Sequence, residues 1–182
     1  MSKAVIFFAP GLEECEGLVT VDLLRRAGVE VQICAVSDDL TITGAHGIRI
    51  VCDALAQDAD RTADAVILPG GIPGTPNLAA SGTVCGTVRA FYDSGRLVAA
   101  ICAAPTVLGG LGLLDGRRAT CYPGCEDGLG GAEYIDAEVI RDGTIITGCS
   151  LGAAIPFALE IIAYLEGPDI AEKKRRSIVY RH

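Results

Sequence analysis

A chain of 182 residues, 50% hydrophobic, with eight cysteines and a formal net charge of −8, is long enough to bury roughly 70% of the surface it exposes when unfolded. It needs no metal or disulfide staple, and its charge argues against nucleic acid as a partner, because phosphate binding depends on Lys and Arg. The apolar runs fall well short of the ~18 residues that cross a bilayer, so neither a membrane span nor a membrane partner is expected. Met1-Ser2-Lys3 leads into an apolar run too short for a signal peptide, and the expected location is the cytoplasm. There, irregularly spaced cysteines are expected to be reduced thiols.

Val5 to Ala9 reads as a first strand, ended by Pro10-Gly11. Glu13-Glu14-Cys15-Glu16 then opens a helical pattern with Leu18, Val21, Leu23 and Leu24 on its apolar stripe, Arg25-Arg26 at its end and Gly28 as its C′ residue. Val29 to Val36 is a second strand. Leu40–Thr43 and Ile48–Val51 flank Gly44-Ala45-His46-Gly47 as a hairpin. Asp64 to Leu68 is a buried strand that runs into Pro69-Gly70-Gly71, where paired glycines let the backbone approach a ligand. Ser81 caps a helix that runs to about Asp93 and stops at Gly95.

Leu97-Val98-Ala99-Ala100-Ile101 is continuously apolar, the pattern of a parallel strand buried on both faces. It stops at Cys102, and Pro105 suits the first turn of a following helix. Cys102 therefore lies on a strand-to-helix corner. Helix N-terminal N–H groups there are expected to lower its pKa, and the alanines at 103 and 104 leave room for such an elbow. The bland alternative is a small buried thiol used for packing.

Beyond it, Ala119 to Tyr122 reads as a strand end, with a glycine-rich loop through Gly131. Asp142-Gly143 between Val139-Ile140 and Thr144–Thr147 predicts a hairpin with a type I′ turn. Gly152 to Leu165, with Pro156 in its first turn and Gly167 at its end, and Asp169 to Val179 are two closing helices. Cys121 and Cys125 lack the further ligand pair that a zinc site needs, so no metal is expected. Alternating strands and helices with continuously apolar strands predict an α/β, flavodoxin-like doubly wound sandwich. Its sheet is mostly parallel with helices on both faces, and ligands bind at the strands' carboxyl ends.

Three motifs, Gly11-Leu12-Glu13-Glu14-Cys15-Glu16, Leu68-Pro69-Gly70-Gly71 and Ala100-Ile101-Cys102-Ala103-Ala104-Pro105, together resemble the ThiJ/PfpI superfamily, on its DJ-one/YajL-like branch with a class I glutamine-amidotransferase-like fold. The resemblance implies a single domain over residues 1–182. It implies Cys102 as nucleophile, Glu16 as its acidic partner and the Gly71 N–H in an oxyanion hole, with Gly70, Ala103 and Tyr122 lining the site. It further implies a homodimer without cofactors that acts on small aldehydes or dicarbonyls, as a glyoxalase III or deglycase. The alternative is a redox sensor or chaperone working through oxidation of Cys102.

The chain departs from the branch at Tyr122-Pro123, where the pattern has a histidine, and its histidines are His46 and His182. Proteolysis and glutamine hydrolysis are not expected, because a thiol attacking an amide needs a positioned acid for the leaving amine. Glu13 and Glu14 read as charges that complement the helix dipole, and Cys15 and Cys52 as spare thiols.

Overall fold

The computed structural model describes residues 1–181; His182 lies outside them. The first strand-helix-strand unit is β1 (Lys3–Phe8), α1 (Glu14–Ala27) and β2 (Glu30–Ala35), followed by the β3 (Thr41–Thr43) and β4 (Arg49–Val51) hairpin, a short β5 (Ala54–Leu55) and β6 (Ala65–Leu68). Two helices, α2 (Gly74–Ala80) and α3 (Gly82–Asp93), lead to β7 (Leu97–Ile101) and α4 (Pro105–Gly110). The last third comprises β8 (Arg118–Ala119), β9 (Glu133–Tyr134), β10 (Val139–Asp142), β11 (Ile145–Gly148), α5 (Ala154–Glu166) and α6 (Pro168–Ser177).

Among the described residues, seven strands form one sheet in the order β10-β11-β7-β6-β1-β2-β5. All neighbours run parallel except β10 against β11. This is the flavodoxin-like α/β sheet, and its two faces divide the core. Along β1, Ile6 and Phe8 pack towards α1 and α5, while Val5 and Phe7 pack towards α3 and α4, the alternation of a strand covered on both sides. No helix among the described residues is long and apolar enough to cross a membrane.

Several details differ from the sequence-based expectation: β5 and β9 were not predicted, and β8 stops at Ala119 where a strand end through Tyr122 was expected. Asp142 pairs with Ile145, so the hairpin loop is Gly143-Thr144 and not Asp142-Gly143. Of those two loop residues only Gly143 has a positive φ, +61°, which fits a turn with glycine first and not the predicted type I′. Helix α2 was not predicted. Its sequence, GTPNLAA, carries Gly, Pro and Asn and has no helical periodicity, and its formation depends on Leu78, which is fully buried in the core beneath it.

Helix α1 begins at Glu13, whose side chain accepts from the Cys15 N–H, and ends at Gly28, in the left-handed region at φ +92°. It packs close to β1, because a Cβ at Gly17 would lie 2.7 Å from the Phe8 ring. That close approach sinks the next turn into the core. Glu16 is 1% exposed as a result.

Candidate active site

Three loops at the carboxyl ends of parallel strands converge: Ala9–Glu13 after β1, Pro69–Pro73 after β6 and Cys102–Ala104 after β7. The first two interlock through main-chain hydrogen bonds, Glu13 N–H to Gly70 O at 3.0 Å and Gly74 N–H to Gly11 O at 3.0 Å. Gly71 has φ +96°, and a Cβ there would run into the backbone of Glu13, 2.6 Å from Gly11 O and from Leu12 C. Only glycine fits, and the tight crossing directs the Gly71 N–H at the Cys102 thiol.

Cys102 occupies the predicted corner with φ +66°, a left-handed conformation that costs a non-glycine residue ~1–3 kcal/mol and persists where its surroundings over-determine it. Here they do: its N–H donates to Gly148 O and its carbonyl accepts from the Tyr122 N–H, both at 2.8 Å. The thiol is half-buried, and the nearby N–H groups of Ala103 and Gly71 favour its charged form.

Glu16 faces it across Gly70. A Cβ on Gly70 would lie 2.6 Å from Cys102 Cβ and 2.7 Å from Glu16 Oε2, so this glycine is the gap through which the two side chains meet. Glu16 Oε2 accepts from the Gly70 N–H at 2.9 Å. Its Oε1 is buried without a formed hydrogen bond, although the thiol lies close enough to favour the carboxylate. Burial dominates and pushes the Glu16 carboxyl up to about 7.

The thiol does not follow the expected direction. Burial, and then the charge of Glu16, push Cys102 up to about 12, outweighing the N–H groups of Ala103 and Gly71. The corner supplies favourable dipoles, but low polarizability around the sulfur and an adjacent carboxylate oppose them more strongly. Once Glu16 holds a proton, its charge no longer opposes the thiolate.

The cleft over these groups measures about 510 Å³ and is lined by Glu16, Gly71, Cys102, Ala103 and Tyr122. Gly70, expected among the lining residues, lies beneath them between Glu16 and Cys102. Glu13, Ile72, Cys125, Ser150 and Leu151 also line the cleft and were missed. Ser150 and Leu151 follow β11, so the rule that sites lie beyond strand carboxyl ends could have found them; nothing local singled out Ile72 or Cys125.

Among the described residues no imidazole lines the cleft. His46 instead joins the β3–β4 hairpin to α1: its Nδ1 meets Glu14 Oε2 at 2.9 Å and Glu13 Oε2 at 3.4 Å, and its N–H donates to Glu14 Oε1 at 2.8 Å. Glu14 is thus more than a helix-dipole charge. Although burial works against it, hydrogen bonds from the His46 ring and from the N–H groups of His46 and Ile48 hold its carboxyl below the ordinary value, and the same contact raises His46. The ligand atoms of Glu13, Glu14 and His46 lie within 4.8 Å of one another, but internal donors already occupy the Glu14 oxygens.

This clip has a pH signature. Glu14's lowered pKa adds stability above its unfolded value that is lost on acidification; His46's raised pKa adds stability below its unfolded value that is lost as pH rises. Glu14→Gln is therefore expected to cost about 1–3 kcal/mol near pH ~6, where both partners are charged, and less at pH ~8. Urea unfolding at the two pH values measures the difference, and an equal cost at both would remove the ionic account.

Comparisons with known proteins find relatives along nearly the whole chain. The DJ-1/PfpI family model matches residues 2–164. Protein dj-1beta of Drosophila melanogaster is 36% identical over 98% of both chains. The glutathione-independent glyoxalase DJR-1.2 of Caenorhabditis elegans is 38% identical over 92% of this chain and 90% of its own. The solved structure of oxidized Toxoplasma gondii DJ-1 superposes with a TM-score of 0.96 at 31% identity, covering 100% of both chains. With the family match over most of its length and relatives of this identity along nearly all of it, the chain belongs to the DJ-1/PfpI family.

Proposed function

We propose that this protein is a cofactor-independent, cysteine-dependent enzyme acting on small reactive dicarbonyls, of the glyoxalase III or deglycase type. The observation that carries the reading is the meeting of Cys102, Glu16 and the Gly71 N–H across Gly70 in one cleft. The name of the Caenorhabditis elegans relative, a glutathione-independent glyoxalase, supports the same chemistry. Exposed Leu18 on α1, Ile48 before β4 and Val51 on β4 support a homodimer, which sedimentation can test.

With methylglyoxal, the Cys102 sulfur adds to the aldehyde carbon as its proton passes to Glu16, and the oxygen that becomes negative is held by the Gly71 N–H. Glu16 passes that proton on to this oxygen, giving a hemithioacetal, and then, as a carboxylate, takes the carbon-bound hydrogen as a proton and returns it to the neighbouring carbon while the hydroxyl proton moves to the ketone oxygen. The result is a thioester of a hydroxy acid, and water releases lactate and the free thiol. A carboxyl with a pKa of about 7 suits this task, because a group that takes and gives back one proton works best near the ambient pH.

Tyr122 stands where the branch pattern has histidine. It is 49% exposed, and its fixed contacts are through its main-chain N–H and carbonyl. Tyr122→Phe should lower turnover less than ~tenfold, and Tyr122→His should raise it. The deciding assay follows lactate formed from methylglyoxal without glutathione. No lactate above the background of Cys102→Ser would end the enzyme reading.

The second reading, a redox sensor, draws on the same carboxyl. A Glu16 that keeps its proton to about 7, with Oε1 unpartnered, is a donor suited to an oxidised Cys102, and the sulfinate is the product expected with mild peroxide.

A further inference from the structure

We propose that Cys125 is a resolving thiol for Cys102, closing a disulfide across the cleft once a peroxide has oxidised Cys102. The inference rests on the reading of Cys102 as the reactive sulfur.

Both thiols line the same cleft. They are also close along the main chain's hydrogen bonds, since Tyr122 N–H donates to Cys102 O at 2.8 Å and Cys125 N–H donates to Tyr122 O at 2.9 Å. The turn that carries Cys125 is therefore fastened to the Cys102 backbone itself.

Two further thiols gather around Cys125. Cys121 is fully buried and close enough to Cys125 and Cys149 for their charges to raise its pKa after burial. Cys149 Sγ lies 3.6 Å from Ser150 Oγ. Of the three, Cys125 is the one that lines the cleft. A disulfide needs Cα atoms within ~7 Å of each other, and the turn that brings Cys125 towards Cys102 carries no buried side chain over residues 122–124. Tyr122, Pro123 and Gly124 are exposed, Gly124 is at φ +92°, and nothing lies within 4 Å of a Cβ built on it.

The chemistry divides the two sulfurs by role. The Cys102 sulfur attacks a peroxide oxygen, the O–O bond breaks, and Cys102 becomes a sulfenic acid while the peroxide leaves as water or alcohol. The Cys125 sulfur then attacks the sulfenic sulfur; the S–O bond breaks and water departs with the thiol's proton, leaving the disulfide. In sum, two thiols lose two hydrogens and the peroxide gains them. Burial and then Glu126 raise the Cys125 thiol's pKa, and the two roles are set by position: Cys102 sits at the corner opposite Glu16, Cys125 on the turn above it. Without Cys125, a second peroxide carries Cys102 on to the sulfinic acid, which thiols do not reduce.

The test treats the reduced full-length protein with a few molar equivalents of hydrogen peroxide, reads the intact mass, and then blocks remaining thiols with N-ethylmaleimide for peptide maps. Wild type should become two hydrogens lighter, yield a linked peptide joining Cys102 to Cys125, and return to its starting mass with dithiothreitol. Cys125→Ser should lose that peptide and gain two oxygens on Cys102. The proposal is overturned if wild type yields only the two-oxygen product, if Cys102 pairs with Cys121, Cys149 or another chain, or if Cys125→Ser leaves the profile unchanged. Cys102 unmodified in both proteins would overturn the reading of Cys102 as the reactive thiol, and this proposal with it.

Discussion

Replacing Glu16 by Gln is expected to move two properties of Cys102 in opposite directions: dicarbonyl turnover falls ~10²- to 10⁴-fold, the usual loss for a general acid/base, while alkylation of the thiol near neutral pH becomes faster. Turnover falls because an amide cannot carry a proton between carbons. Alkylation quickens because the charge of Glu16 is, after burial, the main influence holding the Cys102 thiol up. Cys102→Ser should abolish turnover altogether. Stability follows a third course. Glu16's carboxyl rises from 4.5 to about 7 on folding, so the folded state favours the protonated form. Its contribution is complete below the unfolded pKa and is lost as pH rises through about 7. The amount is on the order of 3 kcal/mol. Glu16→Gln has no such dependence, so its stability relative to wild type should climb between pH ~4.5 and ~7. Steady-state kinetics, iodoacetamide labelling with peptide mapping, and unfolding across that range read the three effects. Slower labelling together with unchanged turnover would leave Glu16 as a buried packing residue.

Gly71→Ala should be the most damaging of the small substitutions. At φ +96° a side chain costs ~1–3 kcal/mol in the backbone alone. Its Cβ would also press on the Glu13, Gly11 and Leu12 main chain, and overpacking typically adds a further ~1–3 kcal/mol. Backbone cannot rotate out of the way as a side chain can. Gly28→Ala is the matched control, because Gly28 has nearly the same φ, +92°, and no atom within 4 Å of the added carbon. Urea unfolding should give Gly71→Ala at least about twice the loss of Gly28→Ala. Activity should fall as well, since the N–H aimed at Cys102 moves with the loop. Equal losses at the two positions would mean that the loop crossing is soft.

The central strands β1, β6 and β7 were legible because each is a short run whose burial on both faces is written into consecutive residues. The positive φ of Cys102 was likewise foreshadowed by a buried strand ending at a cysteine, small residues and Pro105. The glutamates show where such reading stops. Glu13, Glu14 and Glu16 are the same residue type within one helical turn, and their difference lies in what they meet: the Cys15 N–H for Glu13, the His46 hairpin for Glu14, and Gly70 and Cys102 for Glu16. On a helix, residues two apart point ~200° away from each other, so one turn divides them among different neighbours. Only the motif resemblance separated Glu16 from the others, and nothing in the sequence showed Glu14 as a buried clip. The wrongly placed hairpin turn has a similar origin, because the register of β10 against β11 is set by burial across the sheet and not by the two residues between them. The thiol's pKa is the clearest case. The corner and its dipoles follow from adjacent residues, whereas desolvation and the charge of Glu16 arise from groups brought together by the packing of α1 against β1 and the crossing of loops at Gly71. Periodicity and turn chemistry are properties of neighbours along the chain; burial and electrostatics are sums over neighbours in space, which exist only once the chain has folded.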